Sequence, residues 1–236
     1  MKTSLHPDPL SLVAELHCQI AKGVIAIDPS PVYWESGVYS IVDCVFSSQT
    51  RHEAVVLPML RERLAARSQM EDHVSLRCSD FLADIDSIEL NREDNRFDAY
   101  GKAVLNLQVL GGRRKVEVCY EIASFFADRS LETMTDMQRL GERELLSLIL
   151  GPLQKKVRGI GPALARYLAI LLGVESETQP DVMVLRVIRG LSDWQPRLTE
   201  KRDMEMVKAV LEHVAMDRDT TPARLENALW RHASQV

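Results

Sequence analysis

The amino-acid sequence predicts an all-α protein, and three observations support this prediction. Apolar residues recur at three- and four-residue spacing in most segments, which is typical of amphipathic helices. Glycines, prolines and capping residues divide the chain into pieces of helical length. Alternating stretches such as VEVCYEI are short and lie in helical surroundings, so no strand is predicted. The chain has 236 residues and no internal repeat, which indicates one large domain or two closely packed lobes.

The predicted helices follow one another with short connections. The first lies within residues 7–24 and carries an apolar stripe. Thr50 and Glu53 have the spacing of a capping box, which predicts a helix start near residue 51, and Pro58 is expected to interrupt that helix. The other predicted helices span residues 33–46, 79–85, 100–110, 113–126, 137–150, 162–172, 181–189, 199–216 and 221–233.

Composition restricts the possible functions. The formal net charge of −5 excludes a protein coated in basic charge, although a local basic patch remains compatible with it. No apolar run approaches the roughly 20 residues that span a bilayer, and the first residues lack the apolar core of a signal peptide, so we expect a cytoplasmic protein without a membrane partner. The cysteines have none of the paired spacings of zinc or iron–sulfur sites, so no metal or cofactor is expected; they are Cys18, Cys44, Cys78 and Cys119.

The clearest candidate binding site lies at about 153–173. The turn Gly159–Ile160–Gly161 can bend tightly and approach a partner closely, because glycine has no Cβ. Pro162 suits the first turn of the following helix, and Gly173 suits the left-handed position after its end. Unpaired N–H groups at such a helix start bind anions, and a nucleic-acid phosphate is the anion that fits best. Cations surround the turn; they are Lys155, Lys156, Arg158 and Arg166.

This segment, with Pro180 and Asp181 after it, resembles the helix–hairpin–helix DNA glycosylase superfamily of the endonuclease III, MutY and AlkA type. The resemblance implies that Gly159–Ile160–Gly161 and the adjacent Ala163 contact the DNA backbone and that Asp181 is catalytic. In bifunctional members a catalytic Lys stands two residues after the second hairpin glycine and eighteen residues before the Asp. Here that position is Ala163, so the resemblance implies base removal without strand cleavage. The cysteine spacing does not match the iron–sulfur cluster of several members.

A second, shorter resemblance concerns Gln49. The sequence Ser47–Thr50 is similar to the turn whose Gln, in this superfamily, enters the DNA stack beside the extruded nucleotide. An ordinary polar turn is the alternative interpretation. Asp43 is one residue away from the position at which adenine-removing members carry a catalytic Glu, so we assign it no role.

The superfamily fold implies two helical lobes. A helical barrel over residues 45–175 would contain the hairpin, and residues 1–44 would pack with 176–236 as the other lobe. Asp181 would then lie in the cleft between them. The residues alone also allow Asp181 to be an ordinary helix N-cap. A basic run lies at 113–115, and it is interpreted as either a solvated face or a phosphate contact.

These interpretations lead to one expected function and two alternatives. The expected function is that of a monomeric DNA glycosylase that hydrolyses the N-glycosidic bond of a damaged or mismatched base in double-stranded DNA. The first alternative is a non-catalytic helix–hairpin–helix protein that recognises damaged or structured DNA. The second is a helical interaction protein unrelated to DNA.

Overall fold

The computed structural model describes residues 9–30, 34–68, 76–90 and 95–235, and these are mostly helical. The all-α prediction is confirmed at this level. The structure also contains a short antiparallel β-hairpin that the sequence did not predict. In it, β1 (Val109–Leu110) pairs with β2 (Arg113–Arg114). Among the described helices, none has the length and apolar character needed to cross a membrane.

The α-helices, in chain order, are α1 (Pro9–Ala21), α2 (Gly37–Ser47), α3 (Ala65–Ser68), α4 (Cys78–Asp86), α5 (Arg96–Ala103), α6 (Lys115–Ala127), α7 (Met134–Gln138), α8 (Glu142–Leu148), α9 (Gln154–Lys156), α10 (Pro162–Leu171), α11 (Val182–Leu191), α12 (Lys201–Asp217) and α13 (Pro222–Gln235). Within the described residues, three π-helical segments join some of them; they are His52–Val56, Met59–Leu64 and Ile149–Leu153.

The chain divides into two compact units, residues 1–32 with 175–236 and residues 33–174. In the first unit, α11 packs on α13, and α12 packs on both α1 and α13. The buried face of α11 carries Val184, Leu185 and Ile188, which contact the apolar residues of the other three helices. Burying each such side chain contributes about 1.5–3 kcal/mol. The loop that carries Asp181 is therefore attached to a well-packed helix.

In the second unit, α2 is the central helix. Every residue from Gly37 to Phe46 is buried, as expected of a helix that is apolar on all sides. It packs against α6 and α10, and the Ser40 hydroxyl donates to the Leu171 carbonyl at 2.7 Å. The whole of α2 belongs to this unit, whereas the division expected from the sequence cuts the chain at residue 44.

The predicted helix over residues 100–110 differs from the observed one because of local signals on either side of it. Asn95 caps α5, since its side-chain oxygen accepts from the N–H groups of Phe97 and Asp98 at 3.0 Å each. The helix therefore begins at Arg96 and ends at Ala103, instead of spanning 100–110. Gly111 and Gly112 both have positive φ, as the central residues of a tight hairpin turn require.

Proline does not end the helical path where the sequence predicted it would. Pro58 lies between two π-helical segments, and Gly151–Pro152 lies inside the third, which continues to α9. A π-type i→i+5 pattern provides a way to continue a helix past a residue that lacks an N–H. The helix end predicted at residue 150, before the 153–173 segment, is therefore wrong.

Candidate nucleic-acid interface

The Gly159–Ile160–Gly161 turn connects α9 to α10, as the sequence predicts. Gly159 has φ of 102°, a conformation that residues with a Cβ rarely adopt. Ile160 is buried in the core of the second unit, while both glycines are exposed. The buried isoleucine therefore fixes the turn to the core, and the glycine backbone faces solvent.

The N-terminus of α10 has no side-chain cap. Gly161 is its N-cap residue, with φ −79° and ψ 171°, and Pro162 has no N–H to satisfy. The Ala165 N–H donates to the Gly161 carbonyl at 3.0 Å as the first bond of the helical ladder, so the N–H groups of Ala163 and Leu164 precede that ladder. A helix N-terminus carries roughly half a positive charge. This end of α10 is therefore suited to an anion.

Exposed cations lie on the N-terminal side of the same turn. Lys155, Lys156 and Arg158 are all exposed. Lys156 pairs with Asp128 at 3.1 Å, but both side chains are more than half exposed, so this pair stabilises the fold little and can exchange for another anion. Arg166, the fourth predicted cation, is half-buried on α10.

Arg113 is hydrogen-bonded to the backbone just before the Gly159–Ile160–Gly161 turn. Its Nη1 donates to the Arg158 carbonyl at 3.1 Å, while its guanidinium also pairs with Glu117 at 2.8 Å and Glu121 at 2.6 Å. The hydrogen bonds that its guanidinium donates to Glu121 and Glu117 raise the pKa of Arg113. The tip of the β-hairpin is nearby, since a Cβ on Gly111 would lie 4.0 Å from the Gly159 Cα.

The side chains of the basic run at 113–115 bond mainly within the fold. Arg114 pairs with Asp98 and donates to the Leu107 carbonyl at 2.7 Å. Lys115 is 2% exposed, and burial lowers its pKa to about 8. All three side chains have partners within the fold, so the run is not an ordinary solvated face, while the phosphate contact stays a prediction.

Gln49 occupies the exposed tip of the turn after α2. Its φ is 57°, a left-handed conformation that costs a non-glycine residue about 1–2 kcal/mol. The capping box predicted for Thr50 and Glu53 is absent, because Arg51 is the N-cap residue and has no side-chain cap bond. Instead, the Thr50 hydroxyl lies 2.9 Å from the Gln108 Oε1 and 3.2 Å from the Ser48 carbonyl.

Asp43 is the centre of a buried polar cluster beneath this turn. Its carboxylate accepts from Trp34 Nε1 and from the Ser47 hydroxyl, each at 2.7 Å, and contacts His52 Nε2 at 3.1 and 3.2 Å. The Asp43 charge is also one cause, after burial, of the raised pKa of Tyr167 on α10. Both carboxylate oxygens are therefore occupied, and the cluster joins α2 to Trp34 before it and to the π-helical segment that begins at His52.

Asp181 is the N-cap residue of α11 in the first unit. Its Oδ1 accepts from the N–H groups of Met183 at 2.8 Å and Val184 at 3.1 Å. Nearby on α13, Glu226 accepts from the Gln179 N–H at 2.8 Å. Burial, with a smaller contribution from the Asp181 charge, raises the pKa of Glu226 to about 8. Glu226 is therefore mostly neutral at pH 7, while the cap interpretation of Asp181 is confirmed.

The described residues contain no group of three or more His, Cys, Asp or Glu side chains arranged to hold a metal ion. The four cysteines are free thiols; Cys44, Cys78 and Cys119 are buried, and Cys18 is partly exposed.

Comparison with known proteins identifies one family. Residues 12–234 match the family described as Domain of unknown function (DUF8548). The chain belongs to this family. No curated protein and no solved structure matches it.

The structure thus groups the predicted residues in two sets within this DUF8548 chain. Gln49, the hairpin and Ala163 belong to the second unit, and Asp181 belongs to the first. The sequence did not mark Lys115 and Glu226, because most of their partners lie 47–69 positions away and no local pattern marks such pairs.

Proposed function

We propose that this protein binds double-stranded DNA through the 153–173 hairpin, as its resemblance to the helix–hairpin–helix DNA glycosylases suggests. The observation that carries the proposal is the exposed, uncapped start of α10 directly after a turn fixed by the buried Ile160. Backbone N–H groups there would hold a DNA phosphate without reading sequence. Lys155, Lys156 and Arg158 would add attraction for the neighbouring phosphates.

Gln49 is proposed to enter the stack that an extruded nucleotide leaves. Removal of a base from a duplex requires extrusion of the nucleotide, which costs a few kcal/mol. Gln49 is exposed and retains a strained left-handed conformation. Strain of this kind is concentrated at functional positions. A glutamine amide at the tip of such a turn can hydrogen-bond to the base left without a partner.

Asp181 is proposed to carry the chemistry. When the C1′–N bond breaks, its electron pair leaves with the base and positive charge develops on the sugar. A carboxylate stabilises that charge and takes the proton of the attacking water. Both cap bonds of Asp181 end on Oδ1, so Oδ2 is available for this role. Its position as a helix cap fixes the carboxylate in place, and both roles can coexist.

The product is proposed to be an abasic site with an intact strand. The position of the Schiff-base Lys is Ala163, whose methyl cannot form that bond. Lys155 and Lys156 precede the turn, and the amine of Lys115 is enclosed by hydrogen-bond acceptors. No covalent adduct should therefore form with an abasic duplex under borohydride.

A non-catalytic DNA-binding function is the second candidate. It is favoured by the formal charge of −5 and by the cap bonds, which already explain an Asp at position 181.

Asp181→Asn distinguishes the two candidates. Asparagine caps a helix as well as aspartate does, so the fold should be kept while the charge is lost. Wild type and variant would be incubated with duplexes that contain alkylated, deaminated or oxidised bases, and base release would be scored after hot alkali. An enzyme should lose at least about 100-fold in rate and still bind. If neither protein releases any base while both bind duplex, the non-catalytic function is correct.

A further inference from the structure

Lys115 lies directly beneath the turn that presents Gln49. From the first residue of α6, its Nζ reaches the Ser48 carbonyl at 2.6 Å and the Phe46 carbonyl at 3.0 Å. It also contacts Thr50 Oγ1 at 3.1 Å and Gln108 Oε1 at 2.8 Å. The side chain is 2% exposed. A lysine therefore joins the end of α2, the turn and the segment before the β-hairpin.

All four of these oxygens are uncharged. The ammonium group has three N–H donors and the site has four acceptors, so the donors are fully used. Burial of an ammonium without a carboxylate partner disfavours the charged form. An apolar side chain of similar length would avoid that cost but would remove the donor that the lysine supplies to the Phe46 and Ser48 carbonyls. The lysine therefore satisfies the acceptors at the end of α2 and in the turn together.

The bonds of Lys115 lie on both sides of Gln49. Ser48 precedes the tip and Thr50 follows it, and both are bound to the same Nζ. The residue between them has φ of 57°. A left-handed glutamine relaxes unless its neighbours are held, because that conformation is intrinsically unfavourable. Lys115 supplies this restraint from the interior, where it cannot contact DNA.

We propose that Lys115 is a positioning residue, which holds the Ser48–Thr50 turn so that Gln49 is ready to enter the DNA stack before DNA binds. This inference rests on the proposed function. Ordering the turn in advance removes part of the entropy cost of insertion. Lys115 therefore acts through Gln49, and its removal should weaken nucleotide extrusion more than it weakens binding to the phosphate backbone.

A double-mutant cycle with a fluorescent duplex tests this role. The probe carries 2-aminopurine beside a tetrahydrofuran abasic analogue, and its fluorescence rises when the base is unstacked. The variants are Gln49→Ala, Lys115→Met and the two combined. Lys102→Met, which removes an exposed lysine from α5 in the same unit, is the matched control. Duplex affinity and its salt dependence are measured by anisotropy on the same samples, and circular dichroism checks the fold.

The expected result is a fluorescence gain about tenfold smaller for Gln49→Ala and for Lys115→Met, with no further loss in the double variant, because residues that act as a unit are non-additive. Duplex affinity should stay within about threefold of wild type, since phosphate contacts are unchanged. If Lys115→Met does not fold, Thr50→Val replaces it; this variant keeps the shape of the side chain and replaces only its hydroxyl with a methyl group.

The contradicting results separate the inference from the proposed function. Losses that multiply in the double variant would show that Lys115 acts on the fold in general, which overturns the positioning role and leaves the proposed function standing. An unchanged fluorescence gain in Gln49→Ala would remove the basis of the inference. A wild-type protein with no salt-dependent duplex affinity would overturn the proposed function and the inference together.

Discussion

Gly161→Asp should separate the stability of the hairpin from its binding of phosphate. Gly161 is the N-cap residue of α10, with extended backbone angles, and a Cβ placed on it meets no atom within 4 Å. Aspartate is among the best N-cap residues and is better than glycine by a few tenths of a kcal/mol. Its charge next to the helix N-terminus adds about 0.3–1 kcal/mol. The variant should therefore unfold at the same or a higher denaturant concentration than wild type.

The affinity of Gly161→Asp for DNA should fall, although its stability should not. The new carboxylate occupies the N–H groups that would hold the phosphate, and a charge-assisted hydrogen bond contributes about 1.5–3 kcal/mol. Repulsion between the carboxylate and a phosphate at about 4 Å adds roughly 1–4 kcal/mol. The two contributions together amount to about 2.5–7 kcal/mol, and salt screens the exposed repulsion. We therefore take the lower part, about 2.5–4 kcal/mol, which corresponds to roughly 60- to 700-fold weaker binding.

The assay is fluorescence anisotropy with a labelled duplex at several salt concentrations, beside a urea titration of each protein. Gly161→Asn is the matched control, because it caps the helix without a charge and so isolates the effect of repulsion. If Gly161→Asp binds duplex with wild-type affinity and the same salt dependence, the hairpin does not hold a phosphate and the reasoning is refuted.

Three further predictions concern stability. Asp43→Asn should lower the free energy of unfolding by about 2–3 kcal/mol, since one amide oxygen cannot serve all the buried donors that the carboxylate serves; an unchanged urea midpoint would contradict this. Gln49→Gly should raise the free energy of unfolding by up to about 1 kcal/mol through relief of left-handed strain, and a destabilised variant would show that the turn is not strained. The pKa of Glu226 is raised from 4.5 to about 8 in the folded protein, so its stabilising contribution is complete below pH 4.5 and is lost as the pH rises through 8. Glu226→Gln should therefore match wild type at pH 5 and exceed it by about 1–3 kcal/mol at pH 9, a discounted value because the residue is only partly buried; equal stability of the two proteins at both pH values would exclude the shift.

Local signals in the sequence were sufficient to predict the start and end of α10 and the start of α11. Pro162 opens α10, and Gly173, with φ of 99°, follows its end, as predicted. Asp181 caps α11 as one of its two interpretations required. These predictions depend on the residue's own backbone preference or on an N–H two or three positions away, which sequence spacing reveals directly.

The sequence could not reveal the contacts that support the site. Lys115 bonds to Phe46 across 69 positions, and Arg113 bonds to the Arg158 carbonyl across 45. A run of three basic residues looks the same whether it is solvated or buried, because burial is decided by distant helices. Local signals also have consequences that the predicted helices do not include: Asn95 caps α5, and Gly111–Gly112 forms the turn between β1 and β2.

The central claim is that the backbone at the start of α10 holds a DNA phosphate, and amide NMR tests it most directly. A short duplex would be titrated into isotope-labelled protein, and the shifts of the backbone N–H signals followed. The account predicts that the largest changes occur at Gly161, Ala163 and Leu164 and that they weaken as salt is added. Unchanged signals at these three residues, with saturable changes elsewhere, would contradict it.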